Sequence, residues 1–319
     1  MPASDQQLIE QYAEHGVISD LARLLRSRHW AQNLKLFSRQ AARSMLLGNV
    51  RSRFRGRGME FEEVRRYQAG DDIRTIDWKV SARVGKTYTK LFCEERERPC
   101  HIIVDQRSHL FFGSQRQFKS VLAAELAGGL AWAALAGGDR VGGQVIGDVA
   151  ERDTRGRRNK QAVLHFIHDI NELNHELMTL PNQKANDTAI SPTSLANSLE
   201  ECRRITRPGT AIFIISDFHD FDSAAAKALS NLGKHADISL LQVSDQLEEK
   251  LPFKGNISIS DGNDSRSVSV SKNLKQAYHE QLIEQDALLK SACAQARALY
   301  TKIDTAQSAR DALIRIFAK

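Results

Sequence analysis

The sequence predicts an α/β fold in which helices cover both faces of a β-sheet, and three observations lead to it. From residue 98 onward, short apolar segments alternate with longer segments whose apolar residues recur every three or four positions. Two of the short segments, 100–105 and 210–217, are mostly apolar and end in an aspartate, which is typical of buried strands. The third observation is the composition, because 319 residues with 41% hydrophobic and 26% charged side chains are typical of a globular chain.

The body of the chain is predicted element by element from the same periodicities. The segments predicted as strands are 100–105, 139–146, 210–217, 238–243 and 299–304, together with a short β ribbon that pairs 256–259 with 267–270. The segments predicted as helices are 115–136, 159–177, 193–205, 222–234, 272–298 and 308–318.

The first 50 residues are predicted to form a basic helical segment, with a break at Gly16 and a second helix that starts at Ser19 or Asp20. The stretch from Arg23 to Met59 holds ten Lys or Arg residues and no acid, although the whole chain has a net charge of only +6. Residues 48–58 are too polar and rich in glycine to pack, so we expect a loop. This flank is either a solvated surface or an anion-binding site, and the predicted anion-binding residues are Arg51, Arg53, Arg55 and Arg57.

Several classes of protein are excluded by missing patterns. The four cysteines have neither disulfide-framework nor zinc-site spacing, and the start of the chain does not resemble a signal peptide. The longest uncharged stretch of small and apolar residues has 13 residues, which is too short for a membrane span, so we expect a cytoplasmic protein. The triplet 85–87 resembles the end of a phosphate-binding loop, but Val80 stands where that loop needs glycine. We therefore expect that this chain does not hydrolyse nucleotides. We also expect that it belongs to no other enzyme class that a sequence motif identifies.

The densest set of charged and aromatic residues lies in 56–83. One interpretation is a catalytic carboxylate cluster in which Asp71, Asp72 and Asp77 surround a metal. The other is a structural network of ion pairs that lets the segment pack on the body, and it is favoured because each acid has a nearby Arg or Lys. The predicted members of this network are Glu60, Arg65, Tyr67, Asp71, Asp72, Arg74, Asp77, Trp78, Lys79 and Arg83.

These residues resemble the signature of the family called domain of unknown function fifty-eight. The resemblance rests on Gly58-Met-Glu-Phe61, Arg65-Arg-Tyr67, Gly70-Asp-Asp72, Ile76-Asp-Trp78-Lys79 and Ser81-Ala-Arg83, followed by Lys90 to Arg96. It implies a von Willebrand factor A-like domain with an open, mostly parallel sheet over 98–319, after a signature segment at 51–97. It also implies partnership with a MoxR-type AAA+ ATPase and other von Willebrand A proteins, in assembly or maturation and not in catalysis.

The resemblance further implies a metal-ion-dependent adhesion site at the carboxyl ends of the strands, and the sequence predicts that this site is degenerate. Asp105, Thr193 and Asp217 match its positions, but Arg107 and His109 replace its two serines and Ser108 is one place out of register. We predict that the site binds magnesium weakly or holds no cofactor, with Arg107 standing in the ion's place between the carboxylates.

Three functions follow from the sequence. The first is a non-catalytic interaction module that serves the ATPase or its client. The second is a binder of nucleic acid or an anionic surface through the Arg23–Arg57 flank. The third and weakest is a metal-dependent hydrolase built on Asp217, His219, Asp220 and Asp222, residues that equally suit a solvated helix start.

Overall fold

The computed structural model describes residues 11–36, 59–68, 71–94, 98–178, 193–249, 256–260 and 265–317. These residues divide into two compact units, one within Met1–Leu47 and Arg98–Lys319, and the other within Gly48–Glu97. Each unit has its own secondary structure and is described by itself. The predicted loop at 48–58 lies outside the described residues.

The larger unit is built on a six-stranded sheet. Its strands are β3 (Cys100–Asp105), β4 (Val141–Ile146), β5 (Glu151–Arg157), β6 (Ala211–Ser216), β7 (Asp237–Ser244) and β10 (Leu299–Asp304). They lie in the order β10-β7-β6-β3-β4-β5, and all neighbouring pairs are parallel except β4–β5. The carboxyl ends of the parallel strands therefore meet at one edge of the sheet, where α/β proteins commonly bind ligands.

Helices cover both faces of this sheet, as the sequence predicts. One face carries α1 (Leu21–Arg26), α2 (Arg28–Ala31), α4 (Lys119–Ala136), α5 (Lys160–Glu176) and α10 (Ala309–Phe317). The other carries α6 (Leu195–Ile205), α7 (Ser223–Leu232) and α9 (Lys272–Ala296). Side chains of one strand alternate between the two cores, so Phe213 packs on the first face while Ile212 and Ile214 pack on the second.

The N-terminal segment, which the sequence separates from the body, is part of the same compact unit. Asp20 caps α1, as predicted, and the apolar side of the segment buries Leu24 in the core beside α4. Ser19 donates its backbone N–H to the Oδ1 of Asn174, and Asn174 donates in turn to Gln106, the residue that follows β3. These contacts fix the segment, because a polar group that is buried loses its hydrogen bonds with water and needs a partner in the protein.

Two further differences from the predicted elements have physical causes. Helix α4 begins at Lys119 and not at residue 115, and the chain before it folds back so that Gly113 lies against the backbone of Gln117. Strand β5 is not predicted because its sequence is mostly charged. It is an antiparallel edge strand in which only Thr154 is buried, so it needs little apolar character.

Helix α4 also differs from the prediction in its membrane-spanning potential. Among the described residues it is the one helix long and apolar enough to cross a bilayer, with a mean hydropathy of 1.2 over 18 residues. However, 83% of that helix is buried in the protein, as in the central helix of an α/β core.

The smaller unit pairs β1 (Met59–Arg66) with β2 (Tyr88–Glu94) in an antiparallel ribbon. Between these strands lie a short 3₁₀ helix, Ile73–Thr75, and α3 (Trp78–Val84), which ends at Gly85 in the left-handed region. Elsewhere, α8 (Gln246–Glu249) follows β7, and β8 (Asn256–Ser260) pairs with β9 (Ser265–Ser269) as the predicted ribbon.

Candidate functional site

The candidate site lies at the carboxyl ends of the parallel strands. Asp105 is the last residue of β3, and Asp217 directly follows β6. Thr193 precedes α6, and its backbone oxygen lies within reach of the same edge. The topology therefore brings together three residues that the sequence places at least 24 positions apart.

Arg107 occupies the space between two carboxylates at this edge. Its Nε and Nη2 donate to the two oxygens of Asp105, at 2.9 and 2.7 Å, and its Nη1 and Nη2 donate to Asp220 at 2.6 and 2.9 Å. The Nη1 also donates to the backbone oxygen of Thr193 at 3.1 Å. The Arg107 side chain is only 5% exposed, so this is a buried, doubly forked ion pair.

The charged state of Arg107 is strongly favoured there. Burial alone would lower the pKa of the guanidinium, but its hydrogen bonds with Asp105 and Asp220 raise that pKa above its ordinary value. Ser216 supports the pair from β6 by donating its hydroxyl to the Oδ2 of Asp105 at 2.7 Å. Asp105 thus has both carboxylate oxygens engaged by the protein itself.

Asp217 has a different cation, Lys119, which is the first residue of α4. The Nζ of Lys119 lies 2.8 Å from the Oδ2 of Asp217 and 2.5 Å from the Oε1 of Glu248, and its side chain is 2% exposed. His109 adds a third contact, with its Nδ1 3.1 Å from the Oδ1 of Asp217. Burial would raise the pKa of Asp217, but the hydrogen bond from His109 and the charge of Lys119 hold it well below its ordinary range.

His109 lies between two of these carboxylates. Its Nε2 is 3.7 Å from the Oδ2 of Asp105, on the side of the ring opposite Asp217. Burial alone would lower the pKa of His109, yet the hydrogen bond with Asp217 and the charges of Asp217 and Asp105 raise it. The result is an alternating series of acids and bases along the edge: Glu248, Lys119, Asp217, His109, Asp105, Arg107 and Asp220.

The structure corrects how the sequence distributes these pairs. Arg107 pairs with Asp105, as the sequence suggests, but the second carboxylate that pairs with it is Asp220 and not Asp217. Asp220 is a predicted hydrolase residue, but its pairing with Arg107 was missed because the sequence equally suits a solvated helix start there. Lys119 was missed because a lone lysine at the beginning of an apolar helix resembles an ordinary exposed residue. Nothing local in the sequence marks either contact.

Two predicted ligand residues are used elsewhere. Ser108 donates its backbone N–H and its hydroxyl to Asp148. Thr193 donates its hydroxyl to the backbone oxygen of Gly147, and the residue that caps α6 is Ser194 and not Thr193. The threonine hydroxyl therefore bonds to the loop after β4, and the next residue caps the helix.

The residues present do not fit a magnesium ion. Mg²⁺ prefers oxygen ligands in near-octahedral geometry, whereas the oxygens of Asp105 accept hydrogen bonds from Arg107 and Ser216. Donor atoms of Asp105, His109 and Asp217 do lie within 4.8 Å of one another, the spacing of a metal site. Two buried cations, Arg107 and Lys119, already compensate this cluster.

The set considered for a hydrolase does not converge on one point. Asp217 faces Lys119 and His109, whereas Asp220 faces Arg107 and accepts from the backbone N–H of Leu195. Asp222 caps α7 through the N–H of Ala225, as the alternative interpretation of a helix start expects. The ring of His219 lies 5.5 Å from that of His109.

A strained turn connects β6 to this site. Phe218 is buried and has a φ of 59°, in the left-handed region that a side chain with a Cβ seldom adopts. Gln285 of α9 donates its side-chain amide to the backbone oxygens of Phe218 and His219, at 2.9 and 2.8 Å. The long helix α9 therefore holds the turn that presents Asp217 and Asp220.

The end of β7 carries a further acid that the sequence analysis did not select. Asp245 accepts from the N–H and hydroxyl of Ser114, from the hydroxyl of Thr305 and from the N–H of Leu247. Burial would raise the pKa of Asp245, but these hydrogen bonds lower it. Its contacts join the loop before α4 to the end of β10.

In the signature segment the acids serve the backbone. Arg65 pairs with Asp71 at 2.6 Å, while Asp71 accepts from the N–H of Gln68 and Tyr67 donates to the Asp71 backbone oxygen. Asp72 caps the 3₁₀ helix, and Asp77 caps α3 and lies 3.6 Å from the Nζ of Lys90. Among the described residues these three acids form no cluster with metal spacing, so their geometry supports the structural interpretation.

The other members of the predicted network lie on the surface or outside what can be described. Arg74, Lys79 and Arg83 are exposed, and Trp78 is 67% exposed. The side chain of Glu60 is outside the described residues. So are Arg51, Arg53, Arg55 and Arg57, whose predicted anion binding stays a prediction. Upstream, Arg23 pairs with Glu125 at 3.2 Å, so one cation of the flank already has an acid partner.

The chain is similar in sequence to two mycobacterial proteins. Uncharacterized protein Rv1480 of Mycobacterium tuberculosis (strain ATCC 25618 / H37Rv) and uncharacterized protein Mb1516 of Mycobacterium bovis are each 26% identical to this chain over 249 residues. Each alignment covers 77% of this chain and 75% of the relative.

Two solved structures are similar at low sequence identity. The conserved hypothetical protein BatB from Bacteroides thetaiotaomicron has 16% identity and a TM-score of 0.45, over 69% of this chain and 96% of that one. An aerotolerance-related membrane protein from Bacteroides fragilis has 16% identity and a TM-score of 0.41, over 68% and 97%.

The sequence profile of one family matches most of the chain. The match runs over residues 63–288, which includes the signature residues from Arg65 onward, the strands β3 to β7 and every residue of the site at the strand ends. The chain is therefore a member of the family described as "Protein of unknown function DUF58".

Proposed function

We propose that this chain is a non-catalytic protein-interaction module of the von Willebrand factor A-like kind, which acts with a MoxR-type AAA+ ATPase in the assembly or maturation of a client complex. The observation that carries the proposal is the pairing of Arg107 with both Asp105 and Asp220. This pairing makes the ligand-binding edge of the sheet a pre-organised surface that needs no bridging ion.

The electrostatics of the edge disfavour a catalytic role for its carboxylates. A general base must be able to accept a proton near neutral pH, but Asp217 is held ionised with its pKa far below the ordinary range. Asp105 and Asp220 have their oxygens bonded to Arg107. A carboxylate in this state is a poor base and a poor nucleophile, so these groups act as structural anchors.

The exposed rim around these anchors is the surface on which we expect a partner to dock. Ser108, Val149 and His219 are exposed there, and Val149 is an apolar side chain 53% exposed in the loop after β4. Ser108 is tied to that loop through Asp148. A rim supported by buried ion pairs presents these side chains in fixed positions, which lowers the entropic cost of binding.

Partnership with the ATPase comes from the family resemblance, and binding is its direct test. The full chain would be immobilised and exposed to a MoxR-type ATPase from the same organism with Mg-ATP, and retention would be measured for the wild type and for Val149→Glu. We expect the wild type to retain the ATPase and Val149→Glu to weaken retention at least tenfold, as loss of a central apolar contact does.

Ile205→Glu is the matched control. Ile205 is 50% exposed but ends α6, at the far end of the helix from the rim. Equal loss in both variants would contradict docking at the rim, and no retention of the ATPase by the wild type would contradict the partnership.

The second function, binding of an anionic surface by the Arg23–Arg57 flank, rests on the sequence pattern. The affinity of such binding falls steeply as the salt concentration rises, because release of counterions drives the association. Titration of anionic vesicles and of DNA at low and high ionic strength measures it.

A further inference from the structure

A second group of metal-ligating side chains lies on helix α5, away from the strand ends. His165, His168, Asp169 and Glu172 are spaced three and four residues apart, so they share one side of the helix. Arg152 of the edge strand β5 reaches the same side. The function proposed above uses none of these residues.

The distance between His168 and Glu172 leaves room for an ion between these two side chains. The Nε2 of His168 is 3.7 Å from the Oε1 of Glu172, which is too long for a hydrogen bond. Two donor atoms on a tetrahedral zinc ion, with bonds of about 2.0–2.1 Å, are separated by roughly 3.4 Å. The donor atoms of His168, Asp169 and Glu172 all lie within 4.8 Å of one another, so small side-chain rotations bring them to that spacing.

Arg152 supports one ligand and leaves its other oxygen available. Its guanidinium bonds to the Oε2 of Glu172, whereas His168 faces the Oε1 of the same carboxylate. It also bonds to Glu176 at 3.0 Å. A group that holds the outer oxygen of a ligating carboxylate orients that ligand for the metal.

Asp169 gives the group a fixed point. Its side chain is only 7% exposed, and its Oδ2 accepts from the hydroxyl of Thr154 at 3.4 Å. Its Oδ1 lies 3.7 Å from the Nδ1 of His165 and 3.7 Å from the Nη1 of Arg152. A buried, anchored carboxylate beside two exposed ligands needs little reordering to bind an ion.

The charge of the group matches a divalent cation. Asp169, Glu172 and Glu176 contribute −3 and Arg152 contributes +1, so the group has a net charge of −2 when its histidines are neutral. One imidazole nitrogen and two carboxylate oxygens are ligands that zinc accepts and that magnesium, which prefers oxygen alone, does not favour.

We infer that His168, Asp169 and Glu172 bind one zinc ion on the surface of α5, with water completing its coordination. The ion bridges one turn of the helix, and through Arg152 it is coupled to the edge strand β5. It therefore stabilises the end of the sheet where the single antiparallel strand lies.

Calorimetric titration of the full chain with zinc tests this inference, with magnesium titrated in parallel. We expect one zinc ion per chain, no comparable binding of magnesium, and at least about tenfold weaker zinc binding in His168→Gln and in Glu172→Gln. Cobalt substitution provides a second readout, since a low-coordinate nitrogen and oxygen site gives visible absorption bands that His168→Gln should abolish. Far-UV circular dichroism of each variant checks that it is folded.

Two controls separate this site from others. His279→Gln removes an exposed histidine of α9 and should leave zinc binding unchanged. His109→Gln removes the histidine at the strand ends and should also leave it unchanged. Zinc binding that survives His168→Gln, that is lost in His109→Gln, or that is absent from the wild type would overturn the inference.

Discussion

Lys119 and Asp217 are 98 residues apart in sequence, yet the Nζ of the lysine lies 2.8 Å from the carboxylate of the aspartate. Both side chains are buried, with 2% and 9% exposure. The pair links the first turn of α4 to the end of β6. It is thus a tie between the central helix of one face and the strand that supplies the candidate site.

Replacing Lys119 with methionine tests the importance of this tie. The change removes the main cation that compensates Asp217 and leaves a buried carboxylate, which typically costs about 3–5 kcal/mol in the free energy of unfolding. Urea denaturation measures the effect. The control is Lys302→Met, because Lys302 pairs with Glu249 at 2.7 Å with both side chains 42% exposed, and such a pair contributes about 1 kcal/mol or less. Similar losses in the two variants would contradict a special role for Lys119.

Replacing Arg107 with serine tests whether the guanidinium stands in for an ion. We expect the wild type to bind magnesium and manganese weakly or not at all in calorimetric titrations. In Arg107→Ser, Asp105 and Asp220 lose their shared cation and gain a nearby hydroxyl, so binding of the ion should appear. Arg203→Ser, which removes an exposed pair with Glu200, is the control and should behave as the wild type does. Tight binding by the wild type would refute the idea.

His101 gives the protein a specific dependence on acid. It is buried in β3, and burial lowers the pKa of its imidazole to about 4 from an ordinary value near 6.5. Because the folded state favours the neutral ring, this contribution is fully present above about pH 6.5 and is lost as the pH falls towards 4. The loss amounts to about 3 kcal/mol of unfolding free energy.

Comparison with His101→Phe isolates this effect from the titration of the carboxylates. The Nε2 of His101 has no hydrogen-bond partner among the described residues, so an apolar ring of similar shape removes the titration without breaking a contact. Unfolding free energies should be measured at several pH values between 4 and 7.5. The wild type should lose more stability than the variant towards acid, and parallel curves would show that His101 does not titrate as expected.

Trp78 provides a test of the signature segment. The side chain of Trp78 is 67% exposed. Trp132 is buried by comparison, with 3% exposure. Trp78→Phe should therefore remove a red-shifted fluorescence component that acrylamide quenches readily. A component shielded from acrylamide would mean that the indole is covered in solution.

Much of the fold could be predicted from local patterns. The strands β3, β6 and β7 are apolar and short. The helices α5, α6 and α7 are preceded by Asn159, Ser194 and Asp222, side chains that commonly cap helices. Strand β5 has no such pattern, because an edge strand with one buried residue owes its conformation to pairing with β4.

The candidate site could be predicted only in part. Asp105 and Asp217 are recognisable because each ends an apolar strand, and Arg107 because it lies two residues from Asp105. The contact of Lys119 depends on how α4 approaches the sheet and that of Asp220 on the turn after β6, and both are tertiary properties. The sequence therefore indicates where charge collects but not which cation faces which acid.

Helix α4 has a consequence for the newly made chain. Its 18 residues are synthesised before β4, β6 and β7, the strands that complete the sheet covering it. Until those strands emerge from the ribosome, α4 is an uncovered segment with the length and hydropathy of a membrane anchor. Substitutions that delay closure of the sheet, such as any side chain at Gly143, where a Cβ would lie 2.3 Å from the ring of Phe166, would expose this helix to lipid and to chaperones. Such defects would lower the yield of the protein through aggregation or mistargeting.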